Sequence, residues 1–252
     1  MTSRKRVLTT LDHREPDRVP IQVDFTPEVA TKLSAHLKTG NATVEAYSGK
    51  IFELPIVIGH DLLIAWHGIA TSYYQYEDQK EYTCEWGIKW QWVEYPEEKY
   101  TERVESPLKD GTKLSSYSCP GPSESWRYDA VRSLVKKRGT TNAIAGAMTC
   151  TLFEAAWYLR GMDLSLSDLI MNKGFVNELL NKQLDFQLVT GTILAKLGVD
   201  IIWIGNDFGI QDSVIISPSI WREFFKPRAV IRHNSSIMGV VIHCKICDME
   251  PP

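Results

Sequence analysis

The sequence carries no excess of positive charge: 28 lysines and arginines stand against 31 aspartates and glutamates, for a formal charge of -3. That balance argues against a nucleic-acid surface or an anionic-membrane anchor and makes a small molecule the expected partner. No apolar run approaches the length of a membrane span, and the opening "MTSRKRVLTTLDHREPDRVP" has basic residues with no apolar core behind them. Neither a signal peptide nor a transmembrane helix is expected, and the chain reads as cytoplasmic. Cysteine is sparse and odd in number, five residues scattered at 84, 119, 150, 244 and 247, which does not make a secreted disulfide framework. No G-x-G-x-x-G follows an apolar run, so a dinucleotide-binding sheet loses support.

What is present fits one large domain of 252 residues, 44% of them hydrophobic. Ser3 stands where it would cap a short helix with Val7, Leu8 and Leu11 on one face; Pro16 and Pro20 end it, and "VPIQVDF" follows as a strand. The aromatic-dense "YYQYEDQKEYTCEWGIKWQWVEY" predicts a β-rich hairpin region, an insertion over about 72–118 that closes with a Pro/Gly/Ser-rich loop.

Beyond it the pattern becomes regular. "AVRSLVKKRG" reads as a helix, "TNAIAG" as a buried strand, and "TLFEAAWYLRG" as a helix ended by Gly161. Asn172 would cap a helix in which Val176, Leu180, Leu184 and Leu188 recur every four residues. "VDIIWIGND" runs apolar without alternation, as a strand covered on both faces does. Ser217 and Pro218 open another helix, and "GVVIH" is the next strand. Such alternation implies a parallel sheet, either open and doubly wound or a (β/α) barrel. The barrel is favoured, though the chain holds fewer βα units than the eight a closed one needs.

In parallel α/β sheets reactive groups collect at the carboxyl ends of strands. Four stretches therefore offer candidates: "VIGHDLL" with His60 and Asp61, "AIAGAMT" with a Gly-flanked loop leading into a helix, "WIGNDFGIQ" with Asn206, Asp207 and Gln211, and "VVIHCKIC" with His243, Cys244 and Cys247. Asp61 serves equally well as a cap. Asp207 follows a run that should be buried, where a carboxylate needs a partner or ligand. His243 and the cysteines have the chemistry of zinc ligands. However, neighbours on a strand face opposite ways, and Cys244-Lys245-Ile246-Cys247 is half of a paired motif whose other half the chain lacks.

Taken together, "SRKRVLTTLDHREPDRVPI", "CEWGIKW", "FEAAWYLRGM" and "GVDIIWIGNDFGIQDSVIISPSIWREFFKPR" resemble the uroporphyrinogen decarboxylase superfamily, and within it the branch related to corrinoid-dependent methyltransferases. The resemblance implies a (β/α)8 barrel of the TIM type, incomplete here because its last strands are missing. It sets Asp61 near the decarboxylases' aspartate, Trp157 near their tyrosine and Asp207 near their serine. It also implies methyl transfer from a corrinoid on a partner protein to a thiol activated by zinc, with His243 at the place of the histidine ligand and Cys244 or Cys247 beside it. In that reading Asp61, Asp207, Asn206, Gln211 and Trp157 orient substrate. Porphyrinogen decarboxylation, which needs no cofactor, is the alternative, but "PIQVDFTPEVA" supplies no arginine to clamp carboxylates. From Ala229 onward the likeness fades, which sets up a third expectation: an inactive truncated fragment whose open strand edges call for association, including with a second copy.

Overall fold

The computed structural model of the chain describes residues 1–25, 27–39, 53–73, 75–76, 78–94, 99–229 and 241–244. Its centre is a parallel sheet of β1 (Leu62–His67), β5 (Ala143–Met148), β6 (Ile201–Ile204) and β7 (Val241–Cys244), neighbours in the order β1-β5-β6-β7. Adjacent strands follow one another in the chain, as they do in a barrel wall, and the strand order never reverses as it does in a doubly wound sheet. Among the described residues the sheet stays open at four strands, so barrel closure is not observed. A second, antiparallel sheet of β2 (Glu81–Thr83), β3 (Lys89–Glu94) and β4 (Lys99–Glu105) lies within the aromatic-rich stretch.

The helices follow from their caps. Thr2, not Ser3, caps α1 (Ser3–Leu11), its Oγ1 accepting the Lys5 N–H at 3.2 Å. α2 (Pro27–Leu37), α3 (Glu53–Val57) and α4 (Asp129–Arg138) precede β5. α5 (Leu152–Arg160) ends at Gly161, whose φ of +102° is open to glycine, and α6 (Met162–Met171) follows. Asn172 caps the 24-residue α7 (Lys173–Lys196). Ser217 caps α8 (Pro218–Ile220), which runs on into a π-helical turn at Trp221–Phe225.

Two expectations fail locally. "VPIQVDF" forms no strand: the Asp61 N–H donates to the Ile21 carbonyl at 2.8 Å, but the Ile21 N–H goes to the Asp61 carboxylate at 2.8 Å. A side chain thus takes the donor that a strand ladder would use. Likewise the apolar stretch before Asp61 is helical at α3, and the strand begins after Asp61.

Three apolar clusters hold the layers. On one face of the parallel sheet Leu63, Ile144 and Ile202 pack with Val131, Leu134 and Leu194 of α4 and α7. On the other, Ala143, Ala145 and Ile201 meet Val7 of α1, beside an open apolar groove of about 430 Å³ lined by Leu11, Val19, Ile21 and Trp203. The third joins Trp86, Ile88, Trp90 and Trp92 of the antiparallel sheet region to Phe153, Leu159, Leu180 and Phe186. These aromatics are nearly inaccessible, and at about 25 cal/mol per Å² their burial is a major anchor of the small sheet on α5 and α7.

Candidate functional site

The carboxyl ends of β5 and β6 approach each other closely. A Cβ on Gly205 would lie 2.9 Å from Thr149 Cγ2, so only glycine fits without a shift. Across this contact Thr151 donates twice to the Gly205 carbonyl, from N at 3.3 Å and from Oγ1 at 3.1 Å. Asn206 then reaches into the start of α5, its Oδ1 accepting the Phe153 and Glu154 N–H groups at 3.0 and 3.3 Å, while its Nδ2 donates to Thr151 Oγ1. The residue expected to hold substrate is therefore a buried cap supplied from a neighbouring loop.

Glu154 returns the connection. Its Oε2 accepts the Asp207 N–H at 3.0 Å, and its Oε1 lies 3.6 Å from the Cys150 thiol, which donates to it. Cys150 itself has φ +54°, the left-handed region unusual for a side-chain-bearing residue, at a bend between β5 and α5. Its Sγ lies 2.8 Å from Tyr73 Oη, and Tyr73 in turn contacts Tyr158 and Trp90 at ring separations of 5.7 and 5.1 Å. Burial first, then the nearby Glu154 charge, pushes the Cys150 thiol far above its ordinary range. Burial likewise raises Tyr73 and Tyr158. These groups stay protonated and offer S–H and O–H donors, not a thiolate nucleophile.

On the α5 side, Trp157 is half-buried and stacks on Tyr158 with ring centroids 3.8 Å apart. Arg103 of β4 stands 5.9 Å over the Trp157 ring; its Nη1 donates to Ser106 Oγ at 2.7 Å, and that hydroxyl donates to the Tyr158 carbonyl at 2.9 Å. The Arg103 Nε is buried without an acceptor among the described residues.

The expected residues divide. Asp207 and Gln211 lie exposed in the loop after β6, with Asn206 beneath them and Trp157 nearby on α5, the helix that Asn206 caps. Asp61 is elsewhere. It precedes β1, at the amino end of the sheet, fully buried and held by Arg6 Nη1 at 2.5 Å, Arg18 Nη1 at 2.7 Å and the Ile21 N–H. The expectation of a substrate-facing carboxylate at a strand's carboxyl end is thus corrected: Asp61 is a structural anion that fixes α1 and the segment after it. Asp200, one residue before β6, does the same with Arg4 at 2.7 Å. His67 ends β1 but stacks on Tyr128 at 5.4 Å, and burial holds its pKa down at about 4.

β7 runs through both His243 and Cys244, paired in register with Trp203 and Ile204. The side chains of His243 and Cys244 lie outside the described residues. Cys247 lies outside the described residues. Among the described residues no three His, Cys, Asp or Glu side chains come together to hold a metal.

Sequence reasoning overlooked Arg103, Tyr73, Cys150 and Glu154. Glu154 alone carried a legible signal, because it sits in the first turn of a helix directly after a buried strand.

Comparison with protein families finds no match, and neither does comparison with curated proteins. Eight solved chains match in structure. One, a methyltransferase from Methanosarcina mazei, superposes with a TM-score of 0.61 at 16% identity, over 97% of this chain and 70% of that one. At that identity the likeness concerns the fold. No helix among the described residues is long and apolar enough to cross a membrane.

Proposed function

We propose that the chain is a methyltransferase-type enzyme of the uroporphyrinogen decarboxylase superfamily, passing a methyl group from a corrinoid on a partner protein to a small thiol at the carboxyl ends of its parallel strands. One observation carries the reading. The chain shares its fold, over nearly all its length, with a methyltransferase, and its polar cluster lies at the end of the sheet where α/β enzymes place their chemistry. In such a transfer the thiol gives up its proton, sulfur takes the methyl group, and the cobalt–carbon bond breaks with its electron pair left on cobalt.

Within this reading the exposed Asp207 carboxylate receives or steers the thiol proton, Gln211 and Trp157 contact the bound molecule, and Asn206 with Glu154 holds the loop that presents Asp207. Zinc belongs to the reading as a proposal, with His243 and Cys244 or Cys247 as its candidate ligands. Stoichiometric zinc in the purified chain supports it; no zinc after reconstitution removes it. Porphyrinogen decarboxylation is the weaker alternative, because Arg6 and Arg18 face Asp61 and Asp17 at the opposite end of the sheet and offer no carboxylate clamp.

The test is incubation of the chain with methylcobalamin and 3-mercaptopropionate, with mass detection of the S-methyl product. Formation faster than in a protein-free control supports methyl transfer; equal rates with and without zinc-supplemented protein remove it.

A further inference from the structure

We propose that the groove at the amino end of the parallel sheet is a second ligand site, which takes a neutral, flat aromatic molecule carrying an O–H or N–H donor. It lies at the opposite end of the sheet from Asn206 and Glu154 and does not depend on the methyl-transfer reading.

The floor of the groove is the face of the sheet that packs on α1. Leu62, Ile201 and Trp203 stand there on either side of β5, which contributes only alanines to this face: Leu62 is registered with Ala143, Ile201 with Ala145 and Trp203 with Ala147. The sheet is therefore low in the middle. Ala147 is also the register partner of Trp66, and the two indoles, both half-buried, come within 5.8 Å of each other. Val7 and Leu11 of α1 form one wall and Val19 and Ile21 the other.

Both walls are fastened to one group. The Asp61 carboxylate accepts from Arg6 of α1 at 2.5 Å, and from Arg18 and the Ile21 N–H at 2.7 and 2.8 Å, while the Asp61 N–H returns to the Ile21 carbonyl at 2.8 Å. The width of the groove is thus set before a ligand arrives, which removes much of the ordering cost of binding. Its volume of about 430 Å³ falls within the span of small-molecule sites, roughly 300–1,000 Å³.

The lining selects the ligand class. Among the described residues no charged side chain lines the groove, and the arginines around it are spent: Arg4 on Asp200, Arg6 on Asp17 and Asp61, Arg18 on Asp61. A charged ligand would lose hydration there and gain no partner. Two polar side chains remain. Thr10 gives its hydroxyl hydrogen to the Arg6 carbonyl at 3.0 Å and so presents only lone pairs. Gln22 donates from Nε2 to Asp24 at 2.8 Å and keeps its Oε1 as an acceptor. Acceptors on the wall and an indole face in the lining match a flat ring that bears a donor. Val19 and Ile21, which the ring would cover, are otherwise exposed apolar surface.

Three probes on one ring system test the class: indole, with the donor; 1-methylindole, without it; and indole-3-carboxylate, which adds a charge. Each is titrated into the full chain and followed by the Trp203 indole N–H resonance, assigned with Trp203→Phe. Indole should bind with a dissociation constant on the order of 1 mM, 1-methylindole about five- to tenfold more weakly, and the carboxylate without saturation. Thr10→Val should bring indole down to the level of 1-methylindole and leave 1-methylindole unchanged. Val19→Asp, at a position 79% exposed and so free of folding consequences, should abolish binding of both. Thermal melts equal to the native chain's confirm that the variants are folded. No saturable shift with indole up to about 10 mM, or binding by both variants equal to the native chain's, overturns the proposal. A dimer in sedimentation that Val19→Asp dissociates, with no indole bound, assigns the groove to a second copy of the chain and overturns it as well.

Discussion

Glu154, in the first turn of α5, accepts the Asp207 backbone N–H at 3.0 Å, so a carboxylate on one βα unit holds the loop of the next. The Asn206 side chain runs the opposite way, from the β6 loop to the α5 backbone at 3.0 Å. The two connections form a reciprocal clasp across the carboxyl ends of β5 and β6.

Breaking one half should loosen the loop without unfolding the chain. Glu154→Ala is expected to lower stability by about 1 kcal/mol, the value of one hydrogen bond, and to speed hydrogen exchange at the Asp207 amide. Glu154→Gln, which keeps an oxygen acceptor, should restore most of the protection. Equal exchange in all three proteins would show that the clasp does not order the loop.

The clasp also depends on the absence of a side chain at 205. Gly205→Ala would place a methyl group 2.9 Å from Thr149 Cγ2, and an overpacked contact of this kind is expected to destabilise by about 1–3 kcal/mol. Adding Thr149→Ser, which removes the opposing methyl, should recover part of that loss in urea melts.

At the other end of the sheet, Asp61 is fully buried between Arg6 and Arg18. Asp61→Ala leaves the buried Arg6 facing Asp17 alone and removes the acceptor of the Ile21 N–H, so a loss of about 3–5 kcal/mol is expected. Chemical denaturation would register it directly, and a loss below about 1 kcal/mol would mean that the network adds little net stability.

Acid should destabilise the chain in two separate windows. Burial holds the His67 pKa down to about 4, below the unfolded value near 6.5, so its contribution is complete above about pH 6.5 and is lost as pH falls toward 4. His60, also lowered by burial, acts in the same direction. For Asp61, burial works to raise the pKa, but hydrogen bonds from Arg18, the Ile21 N–H and Arg6 outweigh it and bring it to about 2; its contribution is lost below about pH 4. A His67→Phe variant should flatten the melting temperature between pH 6.5 and 4 and leave the lower window intact. An unchanged slope in the upper window would assign it to other groups.

Legibility from sequence followed the physics of each element. α5, α7, β5 and β6 were readable because periodicity, caps and terminal glycines agree, as at Asn172 and Gly161. α6 was missed because "MDLSLSDLIM" has no cap of its own and starts directly from Gly161. Asp61 was misplaced because an apolar stretch precedes it as well as follows it, and only the pairing with Arg6 and Arg18, 55 and 43 residues away, decides which side becomes the strand. The candidate site was half readable: Asp207 and Gln211 follow an evident strand, whereas Tyr73 meets Cys150 and Arg103 meets Trp157 through contacts between segments far apart in sequence that no local pattern encodes.

The central claim is that a small thiol binds at the carboxyl ends of the parallel strands, and amide hydrogen exchange of the full chain with and without saturating 3-mercaptopropionate tests it most directly. Slowed exchange is predicted in residues 149–158 and 205–211. Protection confined to Val7, Leu11 and the 19–22 segment, which line the groove at the amino end, or no protection anywhere, would contradict it.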